Sequence, residues 1–495
     1  MAHEDRLKTL APFLQVQGFV WGPEPEIYGG LAGFYTYGPN GTLLKRRIEK
    51  RIRDVFAKHE FFEVETPTVL PKPVWEASGH LGGFTDPLIK DAKGNVYRAD
   101  HLLEEYYEKH NITEPVPLKA DELSKALKSY DIKSPAGEVL VGGVIEHNLM
   151  MRTTIGTEHE AYNRPETATA TYLPFLRYAE HFRKKLPFGV FQIGKAYRNE
   201  ISPRQHLVRM REFTQAEAQL FIDPAKKDGH RGYEEKKDVT LPVLSWKAQE
   251  QGKPFSFMKL SELREQHLGS DVYAYGLALA YELFLSFGIP SSSMRVRQHG
   301  PDEKAFYAAD AWDVEVNLPT FGWTEMCGVH DRTDYDLTQH AKHSGKDQTV
   351  FVEEHGAHIT PHVLEIAFGV DRPVYALLDL FYDEKDEAEG KTTLKLPYAL
   401  APVHVAVLPL VKKLSEPAQN IYQTLLSTGI TVVYDESGAI GKRYLRASTI
   451  GTPYCVTVDY DTLEDNAVTV RDRDTEAQER VPVAELVAYI QNKLG

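Results

Sequence analysis

Two cysteines in 495 residues, Cys327 and Cys455, stand far apart in the chain. They offer no disulfide framework and point to a reducing, intracellular compartment. No stretch approaches the roughly 18 consecutive apolar residues of a membrane helix. The opening "MAHEDRLKTL" has no apolar signal-peptide core. The expectation is therefore a cytoplasmic protein with no membrane partner. Basic residues are in overall deficit, with a net charge of −14. That argues against non-specific nucleic-acid binding but not against a nucleic-acid partner, because phosphate contacts depend on local basic patches. No G-x-G-x-x-G opens a helix. "GVFQIGKA" (189–196) nearly matches the P-loop spacing, but Val, Phe, Gln and Ile make a strand and not an anion nest, and Ala196 replaces the magnesium-binding hydroxyl. Internal repeats are also lacking. What remains, 42% hydrophobic and 26% charged residues, is ordinary for a soluble globular enzyme of two or three domains.

Thr42 to His59 reads as an amphipathic helix, with Leu44, Ile48, Ile52, Val55 and Phe56 on one face. "FFEVETPTVL" is strand-like and is marked at Pro67 by an edge or interruption. A charged region near 86–160 and a lysine-rich one near 223–270 read as insertions. "ATATYLPFLRYAEHFRKKLP" reads as one helix ending near Pro187, followed by the strand "FGVFQIGKAYRNE", a turn, and the strand "LVRMREFTQAEAQLFI". "DVYAYGLALAYELFLSFG" is helical. "WDVEVNL", "GWTEMCGVHD" and "HVLEIAFGVDR" read as strands of one sheet, the last running into the helix "PVYALLDLFY". "YDEKDEAEGKTTLKLPYALAP" is acidic, then Pro-rich, and makes a linker. Beyond it, "HVAVLPLV", "ITVVYD", "YCVTVDY" and "NAVTVRDRD" alternate with helical stretches, as in a compact α/β domain.

The positive charge concentrates in "YRNEISPRQHLVRMREF", from Tyr197 to Phe213. Residues two apart on a strand share a face. Arg198 and Glu200 therefore point one way on the first strand, and Arg209, Arg211, Phe213, Gln215 and Glu217 do so on the second. A hairpin closed around "ISPRQH" joins the two faces into a wall of guanidinium, carboxylate and one ring. Guanidinium binds phosphate bidentately, and a ring can stack on a base. The pattern describes a nucleotide site on an antiparallel sheet, or alternatively a cross-strand ladder of salt bridges.

"AYRNEISPRQHLVRMREFTQAE" resembles motif 2 of the class II aminoacyl-tRNA synthetases. "EVETPTVLPKPVWEASGH" resembles their dimer-forming motif 1, and "HVLEIAFGVDRPVYALL" their motif 3. "NRPETATA", "YAADAWDVEVNLPTFGWTEMCGVHDRTDYDL" and the tail from "LAPVHVAVLPLVKK" narrow the resemblance to the homodimeric glycyl-tRNA synthetases of the archaeal and eukaryotic branch. The class I signatures HIGH and KMSKS are absent. The resemblance covers nearly the whole chain.

The resemblance implies an α/β (α+β) fold: a six- or seven-stranded antiparallel sheet flanked by helices in a catalytic domain over 1–394, and an α/β anticodon-binding domain over 395–495. It implies ATP as substrate with magnesium, glycine and tRNA(Gly) as partners, and a homodimer. By the same resemblance Arg198, Glu200 and Arg372 are the catalytic residues. The ATP site takes in Asn199, Val208, Arg209, Arg211, Glu212, Phe213, Glu325, Met326 and Gly369, with Glu325 as the magnesium carboxylate. The glycine pocket involves Arg98, Glu166, Phe213, Gln215, Glu217, Glu365, Ala367 and Gly369. Two segments depart from the family pattern. After "RPET" the common Ala-Gln-Gly is Ala168-Thr169-Ala170, and the common Glu-Pro-Ser of motif 3 is Glu365-Ile366-Ala367. The serine contact to glycine is missing, and Ile366 or Thr169 is expected to refill the space. Two other functions stay open: a paralogue that activates another small amino acid or loads another carrier, and a non-catalytic tRNA-binding protein.

Overall fold

The computed structural model describes residues 3–117, 119–201, 203, 205–301, 303–304, 308–385 and 391–494. Part of the acidic linker, 386–390, lies outside the described residues. Nine strands of the described residues form the central sheet. In chain order they are β1 (Phe61–Glu63), β2 (Phe188–Tyr197), β3 (Glu212–Ile222), β4 (Thr240–Leu244), β5 (Ser256–Lys259), β6 (Met294–Gln298), β7 (Asp310–Leu318), β8 (Gly322–Thr333) and β9 (His362–Gly369). The spatial order is β5-β4-β6-β7-β8-β9-β3-β2-β1. The run from β6 to β2 is antiparallel throughout, a six-stranded core. Its two flanks are added through parallel pairings, β1 on β2 and β4 on β6. The region near 223–270 thus extends the sheet edge through β4 and β5.

Helix α1 (Pro39–Lys58) carries Pro39 at its first turn, where no backbone N–H is needed. It buries Leu44, Ile48, Ile52, Val55 and Phe56, the face read from spacing, and also Lys45. Gly41 lets the chain cross close to α1, since a Cβ there would lie 1.9 Å from the Phe19 carbonyl oxygen. Helix α2 (Asp271–Ser286) is buried nearly all round, which matches its apolar composition. Helix α3 (Asp371–Leu380) follows β9 directly. The single helix expected before Pro187 is two short ones, Ala168–Tyr172 and Phe175–His181, divided at Pro174. Proline cannot donate the helical hydrogen bond, so the helix breaks there.

Within 86–160, strands Thr85–Asp91, Val96–Arg98 and Leu140–Asn148 form a small antiparallel sheet with helices Ala99–His110 and Ala120–Ser129 and a hydrophobic cluster of their own. The C-terminal sheet comprises β10 (Val405–Pro409), β11 (Val432–Tyr434), β12 (Tyr454–Val458), β13 (Ala467–Asp472) and β14 (Gln478–Pro482), in the order β11-β10-β12-β13-β14. It too has a separate core, which includes Val405, Ile421, Val456 and Ile490. Leu396 and Leu400, beyond the expected boundary at 395, pack with Leu394 in the core of the central sheet. Both cysteines are free and buried. Among the described residues no helix is long and apolar enough to cross a membrane.

Candidate active site

The three middle strands place alternate residues on one face. Gln215 pairs with Gly369, and Glu217 with Ala367. On the other side of β9, Ala367 pairs with Gly328 and Glu365 with His330. These residues, with Glu166, Arg198, Phe213, Glu325 and Arg372, line a cavity of about 440 Å³.

One end of the cavity is acidic and deep. Glu217 and Glu365 are buried, and Glu166 joins them. Thr167 Oγ1 donates to Glu217 at 2.5 Å, as does Gln215 Nε2. Thr169 Oγ1 donates to Glu166 at 2.7 Å, and His80 lies 3.5 Å from the same carboxylate. Glu365 accepts from the Tyr172 hydroxyl at 2.9 Å and from Arg332 Nη1 at 3.2 Å, with His330 Nδ1 also at 3.2 Å. The three carboxyls separate in acidity. Burial first, then the charges of Glu365 and Glu166, push the Glu217 carboxyl well above its ordinary range. Burial pulls Glu166 and Glu365 the same way, but His80 and Arg332 for the one, and Arg332 and His330 for the other, hold both below it. With Glu166 and Glu365 held acidic, the deep end is an acidic pocket whose chemistry suits a cation.

The other end is cationic and aromatic. Arg198 lies over the rings of Phe213 and Phe84, at 5.4 and 5.3 Å, and its Nε donates to the Pro165 carbonyl at 3.2 Å. Among the described residues no carboxylate pairs with it. Arg209 is held by Glu200 at 2.9 Å. Arg372 Nη1 donates to the Glu325 carbonyl at 2.7 Å and its carboxylate at 3.0 Å, and Nε to the Val208 carbonyl at 3.4 Å. Arg372 holds the half-exposed Glu325 carboxyl below its usual range, against the effect of burial. Behind Arg372, Asp371 accepts from Lys45 Nζ at 2.8 Å, the Tyr37 hydroxyl at 2.6 Å and Thr214 N at 2.6 Å.

The structure brings Glu166, Arg198, Glu200, Val208, Arg209, Phe213, Gln215, Glu217, Glu325, Glu365, Ala367, Gly369 and Arg372 to one cavity. It places five expected residues elsewhere. Strand β3 begins only at Glu212, after a 3₁₀ turn at His206–Val208, so Arg209 and Arg211 belong to a loop and not to a strand face. Arg211 is tied to the Glu200 and Ala32 carbonyls, both at 2.8 Å. Glu212 faces the opposite side of the sheet and pairs with Lys195 at 3.1 Å. Asn199 turns to His147 at 3.4 Å. Met326 is fully buried in the core. Arg98 pairs with Asp86 at 2.8 Å and with Asp100, and lines a separate pocket of about 180 Å³ with Tyr97 and His101.

Gly328, His330 and Arg332 of β8 were not expected at the site. Alternation along "GVHDR" marks them as one face, but a bulge conceals their relation to Glu325. Val314 pairs with Cys327 and Glu315 with Glu325, so Met326 is an extra residue. The bulge turns Glu325 onto the face of Gly328 and His330.

Residues 152–381 match the family described as the tRNA synthetase class II core domain (G, H, P, S and T), and residues 404–493 the anticodon binding domain family. A glycine–tRNA ligase from Methanothrix thermoacetophila is 40% identical, covering 99% of this chain and 97% of that protein. Those of Thermococcus sibiricus and Methanococcus maripaludis are 39% and 37% identical, covering 97% and 99% of this chain and 97% and 100% of the respective relatives. Among solved structures, Giardia lamblia prolyl-tRNA synthetase in complex with prolyl-adenylate superposes with a TM-score of 0.62 at 15% identity, covering 100% of this chain and 79% of that one. At that identity the likeness speaks for the fold alone. Identity sustained over almost the whole length, together with the two matched domains, shows that the chain belongs to the glycine–tRNA ligase family of class II aminoacyl-tRNA synthetases.

Proposed function

We propose that the protein activates glycine with ATP to glycyl-adenylate, releasing pyrophosphate, and transfers the glycyl group to the 3′ end of tRNA(Gly). The observation that carries this reading is the polarity of the cavity: three carboxyl groups at its deep end, two of them held acidic, and arginines and an aromatic ring at its mouth. The glycine ammonium sits among Glu166, Glu217 and Glu365. Its carboxylate then faces the α-phosphate, which Arg198 neutralises. Adenine stacks on Phe213 beneath Arg372, with Arg209 toward the outer phosphates. Catalysis here is positioning and charge neutralisation more than proton transfer. Glu325, a half-exposed carboxylate at the cavity, has the oxygen chemistry that magnesium favours and would hold the ion that accompanies ATP. We place the activity in the cytoplasm, where tRNA is charged. The test is ATP–pyrophosphate exchange with each amino acid in turn, followed by charging of total tRNA. Exchange with glycine and charging of tRNA(Gly) are expected. No exchange with any amino acid would leave the non-catalytic tRNA-binding function in its place.

The matched domains divide the two steps. The cut belongs after Pro402 and not at 395, because Leu396 and Leu400 pack under the central sheet. A protein ending there is expected to form adenylate and fail to charge tRNA. Equal loss of both activities in a folded truncation would count against the division.

The protein is further expected to be a homodimer through the segment around the exposed Pro67, between β1 and the strand Val69–Pro71. An isologous surface of that kind closes on itself. Sedimentation showing an active monomer at micromolar concentration would refute it.

A further inference from the structure

Arg47 projects from α1 toward the C-terminal domain. Its guanidinium donates to the Pro402 carbonyl at 3.1 Å and to Thr431 Oγ1 at 2.7 Å. It also meets the Ala401 carbonyl, the Ala399 carbonyl at 3.5 Å, and His404 Nε2. Residues 399–402 are the chain that leads into β10, and Thr431 immediately precedes β11. One side chain of the catalytic domain thus grips the entry of two neighbouring strands in the C-terminal sheet. Among the described residues no carboxylate pairs with Arg47. Its partners are all neutral acceptors, and burial lowers its pKa to about 10. Burial, and then the charge of Arg47, lower that of His404 to about 4, so the ring is a neutral acceptor.

The position of Arg47 on α1 gives this grip a functional direction. Two residues earlier, Lys45 reaches the other way, donating to Asp371 at 2.8 Å and to Thr214 Oγ1 at 2.6 Å. Asp371 adjoins Arg372 at the mouth of the active-site cavity. The same helix therefore touches the adenylate-forming site with Lys45 and the C-terminal domain with Arg47. Among the described residues the other hydrogen bonds across this junction, Arg473 to the Leu396 carbonyl at 2.8 Å, Thr449 to the Thr392 carbonyl at 3.2 Å and the Tyr398 hydroxyl to Asp472 at 2.9 Å, involve only the connecting segment. A guanidinium suits this task because its planar fork fixes direction as well as distance.

We propose that Arg47 is a positioning residue for the second step: it sets the C-terminal domain relative to α1, so that a tRNA held by that domain presents its 3′ end to the adenylate. This rests on the glycine–tRNA ligase reading, and the wild-type protein must charge tRNA with glycine for the test to apply; failure there refutes that reading and not this one. The measurements are ATP–pyrophosphate exchange and tRNA charging on the full chain carrying Arg47→Ala, Arg47→Lys or Thr431→Val. Hydrogen bonds from a charged donor are worth enough that Arg47→Ala should lower kcat/KM for tRNA by roughly tenfold or more, with exchange changed less than about twofold. Arg47→Lys keeps the charge but loses the fork and should recover part of the loss. Thr431→Val should show the same split in smaller degree. A merely structural role would instead lower exchange and charging together, and that result overturns the proposal. So does unchanged charging in the Arg47→Ala and Thr431→Val proteins. If Arg47→Ala does not fold, Arg47→Lys and Thr431→Val decide by the same criterion.

Discussion

Arg198→Ala is expected to slow adenylate formation by roughly 10²–10³-fold while leaving the KM for glycine almost unchanged, the signature of a donor that acts mainly in the transition state. The geometry explains why this arginine and not its neighbours. Arg209 is held by Glu200, Arg211 by two backbone carbonyls, and Arg372 by Glu325. Arg198 has one neutral partner, the Pro165 carbonyl, and lies over the rings of Phe84 and Phe213 within the cavity. Its orientation is fixed before substrate arrives, and its charge is not spent on a protein carboxylate. As the glycine oxygen attacks the α-phosphorus, negative charge grows on the phosphoryl oxygens, and a preorganised guanidinium stabilises that growth without reorganising. In the proposed pose glycine binds at the opposite, acidic end, so its affinity should barely register the loss. Arg198→Lys keeps the charge without the fork and should fall between. Stopped-flow or exchange kinetics measure this directly. Near-normal exchange in a folded Arg198→Ala protein would remove Arg198 from the phosphate role.

How far the site was legible depended on which rule of local geometry applied. Where a strand is regular, period two suffices: Phe213, Gln215 and Glu217 face the cavity as spacing requires, and Glu365, Ala367 and Gly369 do so on β9. The face of α1 was equally readable, except for Lys45, whose burial depends on Asp371, over 300 residues away in the chain. The alternation failed at Arg209 and Arg211, because the chain there forms a turn and a loop, and it does not relate Glu325 to Gly328 and His330, because one extra residue in β8 reverses the faces. Neither a turn of that kind nor a bulge leaves a periodic mark. Arg332 escaped notice for another reason. Its importance lies in partners on three other segments, Glu365, Asp336 and Tyr172, and only the folded chain brings these together.

Alanine is expected to be activated about 10–200-fold less efficiently than glycine, the range that one extra methyl commands in a packed pocket. The argument starts from depth. Glu217 and Glu365 are 2% and 3% exposed, so an ammonium drawn to them must sit at the closed end of the cavity. The α-carbon then lies over the floor formed by Ala367 and its partners in register, Glu217 on one side and Gly328 on the other. That floor is tight at Gly328, where a Cβ would fall 2.6 Å from His330 Cε1. At Ala367 the family commonly has serine. Two residues are expected to refill that space. Ile366 turns away into the core, and Thr169 is engaged with Glu166. The lost hydroxyl therefore leaves one polar contact fewer. Ala367→Ser should restore that contact and lower the KM for glycine a few-fold, by about the net worth of one hydrogen bond. Ala367→Val should fill the space beyond what glycine itself can tolerate, lowering kcat/KM for glycine roughly 10–100-fold through overpacking. Exchange rates with glycine, alanine and serine across the three proteins check all of this. If the wild-type protein activated alanine as well as glycine, steric exclusion at the cavity floor would be wrong, and the paralogue with another small amino acid as its substrate would be the better account of the cavity.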